Sequence, residues 1–199
     1  MKSNMCKIEN GTKDLAEILK ECERVAEYNG LTEKQSLQLR LLCEEIDGML
    51  PNIIDNFDGT LWIECDGGVC KVNVSIKIPE FNSGKKKELI EVAKDKKNSA
   101  AVGIAGKIRD AIENFFLSEG TVDAFDPSTA FFHLSTGYSD GVDYSYLWSL
   151  EQYKTTVNQE KETDAWDELE KSVIASVADD VIVGVKGNRA DIVIVKKFA

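Results

Sequence analysis

Leu39-Arg40-Leu41-Leu42-Cys43-Glu44-Glu45-Ile46-Asp47-Gly48-Met49 is the stretch whose reading decides the fold. Leu39, Leu42, Ile46, Met49 and Ile53 recur at helical spacing, which predicts an amphipathic helix with one face in a core. Thr32 opens this helix and Gln35 stands three residues on, the spacing of a capping box. Pro51 is expected to end or kink it near its last turns, because proline removes a backbone donor and crowds the preceding turn.

On the N-terminal side, a short strand is expected at 5–9. A first helix is expected from about Lys13 to Tyr28, with Thr12 as cap and Leu15, Ile18, Leu19, Cys22, Val25 and Ala26 on one stripe. Gly30 ends it. On the C-terminal side, strands over 60–65 and 69–78 flank Asp66-Gly67-Gly68, a hairpin turn signal. Val72, Val74, Ile76 and Ile78 alternate with Asn73, Ser75 and Lys77, so one face of that hairpin should pack on the helices. Beyond Pro79 a variable insert is expected to about residue 160. It would hold helices over 84–97 and 100–117, then an irregular stretch over 118–146. In this insert Phe131, Phe132, Tyr138, Tyr144, Tyr146 and Trp148 are expected to pack it onto the domain. A further helix, capped by Thr163 or Asp164, should direct Trp166, Leu169, Val173 and Val177 to the core. Strands from Val181 to Val185 and from Ala190 to Lys197 follow; being apolar nearly throughout, they belong in the middle of a sheet.

Composition narrows the class. A chain of 199 residues with 43% hydrophobic and 30% charged residues predicts one globular domain, 1–199. The net charge of −11 argues against nucleic acid or an anionic membrane as partner, since both call for a basic face. Lys85-Lys86-Lys87, with Lys94, Lys96 and Lys97, is the one basic run, read as a solvated helix face or a weak anion site. No apolar run approaches the roughly 20 residues of a membrane span. The polar segment 1–10 does not read as a secretory signal. Five scattered cysteines read as reduced, buried thiols, which predicts a cytoplasmic protein.

The order helix, helix, hairpin, insert, helix, hairpin resembles the histidine-kinase-type (GHKL) ATPase superfamily, most of all its small anti-sigma-factor-kinase branch. The resemblance rests on Leu39 to Met49 following Gly30-Leu31-Thr32, on the hairpin Gly59-Thr60-Leu61-Trp62-Ile63-Glu64, and on Leu169 to Val181 with the last hairpin. It covers about half of the chain. It implies an α+β fold: a two-layer sandwich whose mixed or antiparallel sheet is covered on one face by helices. It also implies ATP with magnesium as the ligand of an intact member. In that family this helix holds a glutamate as general base and, four residues later, an asparagine that binds the metal. Residues four apart share one helix face, so a carboxylate there can take a proton beside a cation that clamps phosphates.

Glu45 stands at the base position, but Met49 stands at the metal position, and a thioether is a poor ligand for magnesium. Glu44 and Asn52 lie beside them, with Asn52 just past Pro51. Where the family has Asp-x-Gly-x-Gly, the chain reads Ile78-Pro79-Glu80-Phe81-Asn82-Ser83-Gly84, leaving Glu80 and Gly84. Glu168-Leu169-Glu170-Lys171 replaces the Gly-rich phosphate lid, and Gly103-Ile104-Ala105-Gly106-Lys107 is the nearest phosphate-cradling element. Each residue has a plainer alternative: Glu44 and Glu45 on a wet helix face, Met49 as core filler, Gly103 and Gly106 as packing positions. His133 is expected to be structural, and no metal-ligand spacing is present. Three functions remain open. One is a regulatory binding module that keeps the scaffold without efficient ATP hydrolysis and acts through a protein partner or a homodimer. Another is an ATP-binding protein or serine kinase with a rearranged site. The last is an unrelated α+β protein.

Overall fold

The computed structural model describes residues 1–9, 15–54, 57–77, 103–118, 146–160 and 172–198. The chain is α+β. Among the described residues, six strands form one antiparallel sheet, accompanied by five helices. They are β1 (Cys6–Glu9), α1 (Leu15–Tyr28), α2 (Glu33–Ile53), β2 (Asp58–Asp66) and β3 (Val69–Lys77), then α3 (Gly103–Ser118), β4 (Tyr146–Ser149), α4 (Leu150–Glu160), α5 (Val173–Val177), β5 (Asp180–Lys186) and β6 (Arg189–Lys197).

The two hairpins join in one sheet of order β1-β2-β3-β6-β5-β4, with Val72 opposite Ile194 and Val74 opposite Ile192. Gly67 and Gly68 both take positive φ at the β2–β3 turn, the geometry that a two-residue hairpin of matching twist requires. Strands β5 and β6 lie inside the sheet, as their nearly continuous apolar runs predict. Ile18, Cys22 and Val25 of α1 and Leu39, Leu42, Ile46 and Leu50 of α2 pack with Leu61, Ile63, Val72, Val74, Val183 and Ile192 in one core. The opposite sheet face is not bare: Ile182, Val193 and Val195 are buried there as a second small cluster against Val69.

Thr32 caps α2 as expected. Its side chain accepts from the Gln35 backbone N–H, and the Gln35 side chain accepts from the Thr32 N–H at 2.9 Å. Pro51 lies in the last turn of α2, near where the helix was expected to end. α2 continues to Ile53 because Leu50 and Ile53 are buried and hold the last turn on the core, outweighing the lost donor.

Three expectations are corrected. Cys65 and Cys70, read as free thiols, face each other across the β2–β3 hairpin with Cα atoms 4.1 Å apart and form a disulfide; Cys6, Cys22 and Cys43 are free and buried. Tyr146 belongs to edge strand β4, which pairs with β5, rather than to the irregular stretch; Trp148, in the same strand, packs against the core as expected. The helix expected from Thr163 or Asp164 through Val177 has its first part, 163–171, outside the described residues; Ser172 is extended (φ −85°, ψ 123°) and starts a short helix of its own, α5, in which Ile174 and Ala175 are buried and Val177 packs against the core as expected, while Val173 is only half-buried. The expected helix over 84–97, most of the irregular stretch and His133 lie outside the described residues.

Candidate functional site

The apolar stripe of α2 turns Leu39, Leu42, Ile46 and Leu50 into the core, and the helix therefore presents its other side at 44, 45, 48 and 52. Those positions line a cavity of about 630 Å³. Glu44, Glu45, Gly48, Met49 and Asn52 of α2 form one wall; Gly103, Ile104 and Ala105 at the start of α3, with Ser172 and Val173 at the start of α5, form the other. The volume falls within the range of small-ligand pockets.

Helix α3 is fixed there by its own apolar face, with Ile104, Ile108, Ala111 and Ile112 buried against α2 and the sheet. It begins at Gly103 with φ +78°, a conformation that strains any residue bearing a Cβ. The N–H groups of its first turn have no intrahelical acceptor and carry the positive end of the helix dipole. Gly103, Ile104 and Ala105 of that turn line the cavity together with Glu44 and Glu45 of α2.

The two glutamates differ. Glu44 pairs with Arg40 one turn earlier at 2.9 Å, and Arg40 also reaches Glu23 at 3.4 Å. The hydrogen bond and charge of Glu44 raise the Arg40 guanidinium above its usual range. Glu45 has no ion pair among the described residues and is half-buried at the cavity wall. Its carboxylate is available to a ligand.

Of the residues expected from the sequence, Glu44, Glu45, Met49, Asn52 and Gly103 come together at this cavity. Gly106 and Lys107 do not line it. Gly106 is buried in α3, and the Lys107 ammonium sits over the ring of Tyr153 from α4, 5.2 Å from its centroid. Glu80, Gly84 and the basic run from Lys85 lie outside the described residues. Ile104 and Ala105 line the cavity as part of the Gly103–Lys107 element read from the sequence, whereas Gly48, Ser172 and Val173 were missed. Gly48 was legible, standing four residues after Glu44 and four before Asn52 on one helix face.

The lining does not fit a magnesium site of the kind the resemblance implies. Met49, at the metal position, offers a thioether that is 8% exposed and packed into the core. Among the described residues no three His, Cys, Asp or Glu side chains are grouped so as to hold a metal ion.

Two other polar networks are structural. Buried Glu21 accepts from the backbone N–H of Asn4 at 2.9 Å and its Nδ2 at 3.1 Å, and pairs with Arg24, tying the N-terminal segment to α1. Buried Cys43 is pushed well above the usual thiol range by its hydrogen bond with Cys22 and by burial, so Cys43 is not a reactive thiolate at neutral pH. No described helix is long and apolar enough to cross a membrane. Compared with known proteins, the chain matches no family model, no curated protein and no solved structure.

Proposed function

We propose that this chain is a regulatory binding module on a histidine-kinase-type ATPase scaffold, one that keeps the ligand pocket and has lost metal-assisted phosphoryl chemistry. The observation that carries the proposal is the cavity beside Glu45, built from α2 and the first turn of α3. The first and last hairpins joining in one sheet, with α1 and α2 packed on one of its faces, also supports it. Loss of turnover follows from Met49: with a buried thioether where a hard oxygen ligand is needed, a cation that clamps phosphates has no anchor on this helix. The output would then pass through a protein partner or a second copy of the chain, with pocket occupancy as the signal.

A second reading, an ATP-binding protein or serine kinase with a rearranged site, is favoured by one observation. The start of α3 opens on the same cavity as Glu45, pairing a helix N-terminus with a carboxylate base. A cytoplasmic address belongs to both readings; the Cys65–Cys70 pair runs against it, since oxidising compartments favour disulfides.

Thermal denaturation with ATP or ADP, with and without magnesium, separates the readings when combined with phosphate release and light scattering after size exclusion. The module reading expects a nucleotide-induced shift insensitive to magnesium, no phosphate release, and a homodimer or a stable partner recovered with the chain. Magnesium-dependent phosphate release would favour the kinase reading. A monomer that captures no partner and shifts with no nucleotide would overturn both.

A further inference from the structure

Leu37 and Leu41 stand one turn apart on α2 and are 59% and 36% exposed, in a helix whose other leucines, Leu39, Leu42 and Leu50, are buried. They belong to a longer row. Lys34, Leu37, Leu41, Glu44 and Gly48 follow one another at intervals of three, four, three and four residues, the spacing of a helix–helix seam. This row lies opposite the stripe of Leu39, Leu42, Ile46 and Leu50 that faces the core. Lys34, Leu37, Leu41 and Gly48 are exposed, and Glu44 is half-buried. Glycine weakens a helix interior, yet Gly48 has no positive φ and a Cβ built there meets nothing within 4 Å. A bare stretch of backbone on an outer face lets another backbone come close.

We propose that this outer face of α2 is a homodimer interface, packed antiparallel on α2 of a second copy about a twofold axis between Leu37 and Leu41. The charges select both the partner and the direction. Lys34 lies three residues before Leu37, and Glu44 and Glu45 lie three and four residues after Leu41. In an antiparallel pair Leu37 of one copy meets Leu41 of the other, and Lys34 comes level with the two glutamates at both ends. A parallel pair would set lysine on lysine and glutamate on glutamate. Among the described residues neither Lys34 nor Glu45 has an ion pair within its own chain. Eleven residues of helix, about 16 Å, separate them, so it takes a second copy to join them. On the other flank Glu33 comes level with Glu44, whose charge Arg40 already offsets at 2.9 Å. The net charge of −11 per copy is no bar at physiological salt, where a Debye length of about 8 Å leaves the contacting groups in control.

The inference rests on the reading above in taking a second copy as partner, but its test contains no nucleotide, so either can fail without the other. Glu45 also lines the cavity, so dimer formation and pocket occupancy share one carboxylate.

Sedimentation velocity of the full chain from low micromolar to millimolar concentration is the test. One helix pair is a small interface, so wild type should pass from monomer to dimer with a dissociation constant in the micromolar range. Leu37→Lys/Leu41→Lys should raise that constant about tenfold or more. Its melting temperature should stay at the wild-type value, because both leucines are exposed in the monomer. Should this variant melt lower, the charge swap alone decides. Lys34→Glu and Glu45→Lys should each weaken the dimer, and together they should restore it, because the exchanged charges meet again across the axis. That pattern supports the proposal. A wild-type chain that stays monomeric, even one that captures another protein through this face, overturns it. So does a dimer indifferent to the leucine substitutions, or a double swap that dimerises no better than the single variants.

Discussion

Asp180, the first residue of β5, accepts the backbone N–H of Glu151 at 3.0 Å and so caps helix α4 from 29 residues away in sequence. The same oxygen accepts the N–H of Val181 at 2.8 Å, and Ser149 accepts the N–H of Gln152 at 3.2 Å to complete the cap. Asp180→Ala leaves buried donors unpaired and should cost about 1–3 kcal/mol in denaturant unfolding. Asp180→Asn keeps an acceptor and should cost less.

The same residue predicts a pH dependence. Burial raises the Asp180 carboxyl above its ordinary value, against the backbone hydrogen bonds that lower it. The folded state therefore holds this proton to higher pH than the unfolded state, and its contribution to stability falls as pH rises from the ordinary aspartate value through the raised one. Unfolding free energy measured from pH 4 to 7 should decline less steeply in Asp180→Asn than in wild type. Parallel profiles would contradict this.

Gly59 of β2 lies against β3 so closely that a Cβ would come within 2.4 Å of the Ser75 carbonyl oxygen. Backbone cannot swing aside as a flexible side chain can, so Gly59→Ala should lose about 1–3 kcal/mol in chemical denaturation. An alanine variant as stable as wild type would show that the two strands separate more easily than the register implies.

Thr32→Ala removes one half of the α2 capping box, and the Gln35 side chain loses part of its reason to fold back. A loss of about 1 kcal/mol is expected in equilibrium unfolding. Ile46→Ala, one turn from the cavity but wholly buried, should cost about 2–5 kcal/mol. The contrast separates helix-end effects from core effects on the same helix.

The parts of the fold that were legible are those whose pattern is local. Thr32 and Gln35 give the start of α2, Asp66-Gly67-Gly68 gives the first turn, and the apolar runs at 181–185 and 190–195 give two interior strands. β4 escaped notice because four residues are too few to show alternation. Helix α4 escaped although Leu150, Tyr153 and Val157 stand at helical spacing, because polar residues fill the rest and its cap, Asp180, comes from a distant strand. The Cys65–Cys70 pair was missed for a related reason: both cysteines fit an apolar alternation, and only the register places them opposite one another. At the site, one helix face brought out Glu44, Glu45, Met49 and Asn52, whereas Ser172 and Val173 reach the cavity only through tertiary packing.

The most direct test of the account is thermal denaturation with ADP at saturating concentration, in magnesium and in EDTA. A pocket beside Glu45 that has lost its metal clamp predicts the same stabilisation in both, about 2.7 kcal/mol when ligand reaches a hundred times its dissociation constant. No shift at millimolar ADP, or a shift that requires magnesium, would contradict it.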